Sequence, residues 1–290
     1  MPIHTFGGPW TQRKLSVVKQ YLDLYATALK RQAFQRIYID AFAGTGDRTQ
    51  KRLASLPQFD LPEFDVMAKG SARLALEVEP PFDKYFFVER VTKRASELSG
   101  LKSTYANRNV EVLNADANEA IEKLCQSIPW HTEQGTRGIV FLDPYGLQVS
   151  WDTLLAISQT KALDIWILFP SGMGLNRLLT NDGDIPQEWQ NTLDRSLGTR
   201  EWRSAFYRSE EKTDLFEGTV QRTVKDADAA KLERFYLERL RAIFPVVMDT
   251  CVRLTNSKDQ TMYLLCFASA NPSPKVKALA PKLARWAVKA

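Results

Sequence analysis

The feature that most constrains this chain is a rhythm: short apolar runs stop at a carboxylate or a tight turn, and helical spacing follows each one. Residues 36–41 (RIYIDA) lead into a turn with Gly44 and Gly46. Residues 85–88 stop at Glu89, and 110–113 stop at Asn114-Ala115-Asp116. Residues 138–142 stop at Asp143-Pro144-Tyr145-Gly146, and 163–169 stop at Pro170. Between and before these runs, apolar residues recur at steps of three and four. Leu15, Val18, Leu22, Tyr25 and Leu29 predict a helix over 11–31. Further helices are expected over 72–79, with Ser71 as N-cap, and over 92–102, 118–125 and 151–158. Alternation of this kind predicts a mostly parallel sheet wrapped by helices. Residues 251–254 and 262–268 flank a polar turn and read as a late antiparallel hairpin. The stretch 171–242 reads as largely helical and polar.

Composition bounds the remainder. The chain has 290 residues, 44% hydrophobic and 25% charged, which is ordinary for a globular protein. We expect one domain over 1–290, with a lid-like insertion at 47–69 and a mostly helical one at 171–250. The net charge of +5 permits a nucleic-acid partner without requiring one. Cys125, Cys251 and Cys266 are scattered, and only His4 and His131 are available to join them. No metal site is expected from such a set, and it suits a reducing cytoplasm. No apolar run reaches membrane-spanning length, and residues 1–20 lack a charged-then-apolar signal pattern.

In open α/β sheets, ligands bind beyond the carboxyl ends of the strands. The strand ends are therefore the places to look for chemistry. Gly44 and Gly46 allow close backbone approach to a ligand. The turn is not a P-loop, because no Gly-Lys-Ser/Thr follows, and Thr49 replaces the third glycine of a dinucleotide fingerprint. Asp40, ahead of that turn, can pair with a ligand ammonium. Glu89 suits a ribose diol. Asp116, with the Ala117 amide, suits an adenine edge. Each acid read alone is equally a loop carboxylate or a helix cap. In Asp143-Pro144-Tyr145-Gly146 the carboxylate and the Pro144 carbonyl are adjacent acceptors, suited to an exocyclic amino group. Tyr145 offers a face for stacking. A plain turn is the other reading of that tetrapeptide. Arg177, beyond the fifth run, is a candidate substrate contact. Lys14 and Lys19 read first as ordinary surface charge, with a phosphate contact as the alternative, and His131 reads as a loop residue. The tail holds Lys275, Lys277, Lys282, Arg285 and Lys289 with no acid, and Leu279, Leu283 and Trp286 form an apolar stripe. A terminal helix packed on the domain is expected there, with a nucleic-acid-contacting helix as the alternative.

Asp-x-Phe-x-Gly-x-Gly at 40–46, the acids at 89 and 116, and Asp-Pro-Tyr-Gly at 143–146 together resemble the class I S-adenosylmethionine-dependent methyltransferases. The last motif is similar to the Asp-Pro-Pro-Tyr of amino-methyltransferases on DNA and RNA, and closer to the Asp-Pro-Phe-Gly of tRNA guanine-N2 methyltransferases. YIDAFAGTG (38–46), GSARLALE (70–77), YFFVER (85–90), FLDPYG (141–146), ALDIWILFPSGMGLNRLL (162–179) and LDRSLGTREWRSAFY (193–207) resemble the three-Cys-motif partner family. The resemblance implies a Rossmann-like sheet and S-adenosylmethionine as cofactor. It implies that Asp40, Phe42, Gly44 and Gly46 hold the methionine part, Glu89 the ribose and Asp116 the adenine. Asp143, Pro144 and Tyr145 then face the methyl acceptor. The departure from Asp-Pro-Pro-Tyr at Tyr145 and Gly146 leaves adenine-N6 specificity unassigned. The implied partners are a nucleic acid and a three-cysteine-motif protein. Two other readings stand beside this one. A non-catalytic binding partner would keep the fold without the transfer. A nicotinamide enzyme is disfavoured by Phe42 and the missing glycine. A cytosine-C5 mechanism needs a cysteine nucleophile near the fourth run, and Cys125 lies on the preceding helix.

Overall fold

A computed structural model describes residues 9–43, 64–131, 135–214 and 218–289. Five parallel strands carry the first half: β1 (Gln35–Asp40), β2 (Lys84–Val88), β3 (Val110–Leu113), β4 (Thr136–Leu142) and β5 (Leu163–Phe169). Helices α1 (Pro9–Leu29), α2 (Phe64–Leu76), α3 (Thr92–Ser99), α4 (Leu101–Thr104), α5 (Ala117–Ser127) and α6 (Trp151–Gln159) alternate with them. After β5 come a π-helical turn (Ser171–Leu175), α7 (Asn176–Leu178), α8 (Gln187–Leu197) and α9 (Trp202–Phe206). Strands β6 (Tyr207–Asp214) and β7 (Gly218–Lys225) form a separate two-stranded sheet. Then follow α10 (Ala229–Arg241), β8 (Val246–Val247), β9 (Val252–Thr255), β10 (Thr261–Ser269) and α11 (Pro274–Lys289).

The main sheet runs β3-β2-β1-β4-β5-β10-β8, with β9 also paired to β10. Strand β10 is antiparallel to β5, β8 and β9. This is the mostly parallel, Rossmann-like methyltransferase-type sheet expected from the element order, closed by the expected antiparallel hairpin. Successive side chains on a strand point to opposite faces. Ile37, Ile39, Val140, Leu142, Ile165 and Ile167 therefore bury against one helical layer. Tyr38, Ile139, Phe141, Trp166 and Leu168 bury against the layer containing α1, α2 and α11. That alternation decides where the strand-end acids point.

Four expectations need correction. Helix α2 begins at Phe64, so Ser71 lies inside it and is no N-cap. Gly70 is tolerated there because its missing Cβ leaves room for Leu15 Cδ1, which a Cβ would meet at 3.3 Å. The rest of the 47–69 insertion, residues 47–63, lies outside the described residues. The 171–242 segment is not purely helical. Strands YRSEEKTD and GTVQRTVK are rich in polar residues and show no strict apolar alternation to betray them. The tail stripe is also displaced. Helix α11 buries Ala280, Leu283, Ala284 and Ala287, while Leu279 and Trp286 are exposed. Alanines let α11 lie close against α1. Finally, Cys251 and Cys266 form a disulfide across 15 residues, with Cα atoms 4.6 Å apart. That pairing removes the scattered-cysteine argument for a reducing compartment. Among the described residues, no helix is long and apolar enough to cross a membrane.

One glycine is required by both conformation and space. Gly198 ends α8 with φ of +64°, and an added Cβ would sit 2.1 Å from Trp151 Cγ. Gly198→Ala is expected to lower unfolding free energy by at least about 2 kcal/mol, read by denaturant titration.

Candidate functional site

The carboxyl ends of the central strands are tied together by the backbone. Ala41 N–H donates to Phe141 O at 3.0 Å, Ala43 N–H to Val88 O at 3.0 Å, and Glu89 N–H to Leu113 O at 3.0 Å. The chain leaving β1 thus crosses from β4 toward β2. Asp40 shares its strand face with Tyr38, and Asp143 continues the parity of Phe141. Both acids therefore fall on the α1 side of the sheet.

Asp40 is fully buried. Its Oδ1 accepts from Phe42 N–H at 3.3 Å, while Oδ2 has no hydrogen-bond partner. Burial pushes the carboxyl up to about 7; a hydrogen bond from Ser71 opposes this and the charge of Asp143 reinforces it. The Tyr38 hydroxyl is also buried without a partner, and burial raises it, helped by the charges of Asp40 and Asp143. Two orphaned polar atoms on one buried face of β1 are costly unless a ligand engages them.

Lys14 is not surface charge. It is 0% exposed, and its Nζ donates to Asp143 Oδ2. The Trp10 and Phe141 rings lie 5.9 and 5.8 Å from that nitrogen. A buried ammonium needs such a partner, and the ring faces add cation–π attraction. Trp10 stacks on Tyr263 at 5.0 Å. The Tyr263 hydroxyl is raised by burial and then by the charges of Asp143 and Tyr145. Lys14 thus contacts Asp143 with Trp10 and Tyr263 stacked beside it; Lys14 was expected at the surface, and Trp10 and Tyr263 were missed. Lys14 does carry a legible signal: it sits in the buried stripe with Trp10, Val17, Val18 and Tyr21.

Pro144 is buried and Tyr145 is 46% exposed. The following loop is held by Asn118, which accepts from Ser150 N–H at 2.9 Å and donates to Gln148 O at 3.1 Å. Ser196 Oγ and Arg195 donate to Leu147 O at 3.0 and 3.1 Å. Glu89 is buried, with Oε1 accepting from Val91 N–H at 2.6 Å and Oε2 at 4.0 Å from Arg94. Asp116 caps α5, accepting from Asn118 N–H at 2.9 Å, and Ala117 opens that helix. Arg177 is exposed on α7, beyond the end of β5. Gly44 and Gly46 lie outside the described residues. Cys125 on α5 is pushed up to about 12 by burial, which disarms it as a nucleophile. Among the described residues, no cluster of three histidine, cysteine or acidic side chains is placed to hold a metal ion.

Comparison with solved structures brings up protein LPL1258 from Legionella pneumophila, 15% identical, covering 83% of this chain and 94% of that one, with a TM-score of 0.39. An rRNA methylase from Streptococcus thermophilus is 12% identical over 73% of this chain and 95% of its own, with a TM-score of 0.30. The N-terminal domain of EvdMO1 with SAH bound is 13% identical over 87% and 80%, with a TM-score of 0.37. At these scores the likeness carries no argument about chemistry, and the site rests on its own geometry. No family model and no curated protein matches the chain.

Two outcomes follow from the site electrostatics. Lys14→Ala strands a half-buried carboxylate and is expected to cost about 3 kcal/mol in stability. A Lys14→Ala/Asp143→Ala double variant should lose clearly less than the Lys14→Ala and Asp143→Ala singles summed, as a double-mutant cycle reads. Asp40 holds its proton more tightly folded than unfolded. Its stabilising contribution is therefore complete below about pH 4 and is lost as pH rises through about 7. Asp40→Asn should accordingly be more stable than wild type at pH 8, by no more than about 4 kcal/mol, with the gain vanishing near pH 4 in parallel thermal melts.

Proposed function

We propose that this protein is an S-adenosylmethionine-dependent methyltransferase acting on an exocyclic amino group of a nucleic-acid base. The observation that carries the reading is the pairing of two features at adjacent strand ends. Asp40 Oδ2 is a buried acceptor without a partner. One strand away, Asp143-Pro144-Tyr145 presents acceptors beside an exposed ring.

The residues present fit the cofactor. Asp40 suits its ammonium, and Gly44 and Gly46 the backbone approach that the methionine part needs. Glu89 suits the ribose, and Asp116 with the Ala117 amide the adenine edge. When bound, S-adenosylmethionine supplies a methyl group on a positively charged sulfur. The chain's own task is then mainly positioning. In this reading the Asp143 carboxylate and the Pro144 carbonyl accept hydrogen bonds from the two N–H groups of the acceptor amine. That favours the positive charge that develops on nitrogen. Lys14 holds Asp143 in place through its ion pair. Tyr145 stacks on the base, which must leave a duplex to reach it. Arg177, beyond β5, contacts the substrate backbone. The association with a three-cysteine-motif protein implied by the sequence resemblance belongs to the same proposal.

The test is transfer of a radiolabelled methyl group from S-adenosylmethionine to total RNA and, separately, to DNA. The reading expects label on a base amino group, with Asp143→Ala reducing transfer about a hundredfold. Label confined to protein, or an Asp143→Ala variant as active as wild type, contradicts it.

A further inference from the structure

Helix α11 carries an exposed face that the fold does not use. Lys275, Leu279, Lys282, Trp286 and Lys289 follow one another at steps of four and three, which places them on one side of a helix. All five are exposed, and Arg285 flanks them. Trp286 is 57% exposed, an uncommon state for so large a ring. The opposite face, with Ala280, Leu283, Ala284 and Ala287, is spent on packing. The helix contains no acidic residue.

The face also has a direction. Arg13 of α1 donates to the Val288 carbonyl, and the next residue, Lys14, holds Asp143. The C-terminal end of α11 is therefore tied to the N-terminal part of α1, the same stretch that holds Asp143. At about 1.5 Å per residue, the strip from Lys275 to Lys289 spans roughly 21 Å and ends where α11 is tied to α1.

We infer that this face of α11 is a guide for an unpaired segment of a nucleic acid, leading it to the site; the inference deepens the methyltransferase reading and rests on it for the identity of that site. A cationic track with an interleaved aromatic ring is the pattern that binds single strands, with phosphates on the lysines and a base stacked on the ring. A lipid surface fits less well, because the only apolar groups on the face are Leu279 and Trp286, two turns apart and bordered by cations. An interfacial helix needs a continuous apolar side, and the apolar side of α11 is buried against the protein.

The test is fluorescence anisotropy with a dye-labelled single-stranded RNA of roughly 12 nucleotides, a length within the footprint of such grooves. Full-length wild type is compared with Trp286→Ala and with the triple variant Lys275→Ala/Lys282→Ala/Lys289→Ala. All four positions are exposed, so folding is preserved, and coincident thermal melts verify it. The inference expects Trp286→Ala to weaken binding about tenfold or more. The triple variant should lower the slope of log affinity against log salt by about 2. Unchanged RNA affinity in both variants overturns the inference. So does tighter binding to phosphatidylserine vesicles than to RNA, lost in the same variants. RNA binding that depends on Trp286 without any methyl transfer would leave the surface standing and remove the proposed reaction. Methyl transfer to RNA unaffected by either variant would do the reverse.

Discussion

The buried ion pair between Lys14 and Asp143 is the interaction on which the edge of the sheet depends. It joins the first helix to the tip of the fourth strand, pairing a fully buried ammonium with a half-buried carboxylate. Its geometry follows from strand parity. Because Phe141 faces α1, so does Asp143; because Tyr38 faces α1, so does Asp40. Two acids on one face, one strand apart, repel each other. The Lys14 ammonium pairs with Asp143 directly and lowers Asp40 only weakly. The result is asymmetric: one carboxylate is neutralised by the protein, and the other retains an oxygen with no partner.

A second buried acid shows what a purely structural solution looks like on the same face. Asp164, one strand further on, is also raised by burial, to about 6, and it is satisfied by hydrogen bonds from Ser269 and from Tyr21 at 2.7 Å. Asp40 takes Phe42 N–H on Oδ1, with Ser71 also near the carboxyl, and Oδ2 has no hydrogen-bond partner. The contrast locates the functional interest at Asp40, because proteins leave buried polar atoms unpaired at a cost of roughly 1–3 kcal/mol. An ammonium arriving from a ligand would recover that cost.

Much of the fold was legible in the sequence, because β-branched and aromatic runs end at polar turns and helices between them keep a strict apolar period. Strands β3 and β5 fall at the residues their patterns predict. The hairpin β6–β7 was illegible, since its strands are rich in polar residues and have no strict apolar alternation to read. The candidate site was legible as strand-end acids, but their partners were not. Lys14 reads as solvent charge until the helix face it occupies is known. The role of Asp116 as a cap of α5 was one of two open readings, and its bond to Asn118 N–H supports the structural one without excluding a ligand contact. The tail's stripe held only at Leu283; the rest of the buried face is carried by Ala280, Ala284 and Ala287, and Leu279 and Trp286 are left outside.

The central claim is that the Asp40 end of the sheet is a cofactor site whose missing hydrogen-bond partner is a ligand cation. Calorimetric titration of S-adenosylmethionine into wild type and Asp40→Ala tests it most directly. The account predicts saturable binding to wild type with one ligand per chain, and loss of at least about tenfold in affinity for the variant, as befits a charged hydrogen bond. Equal affinity in the two folded proteins, or no binding to wild type, would contradict it.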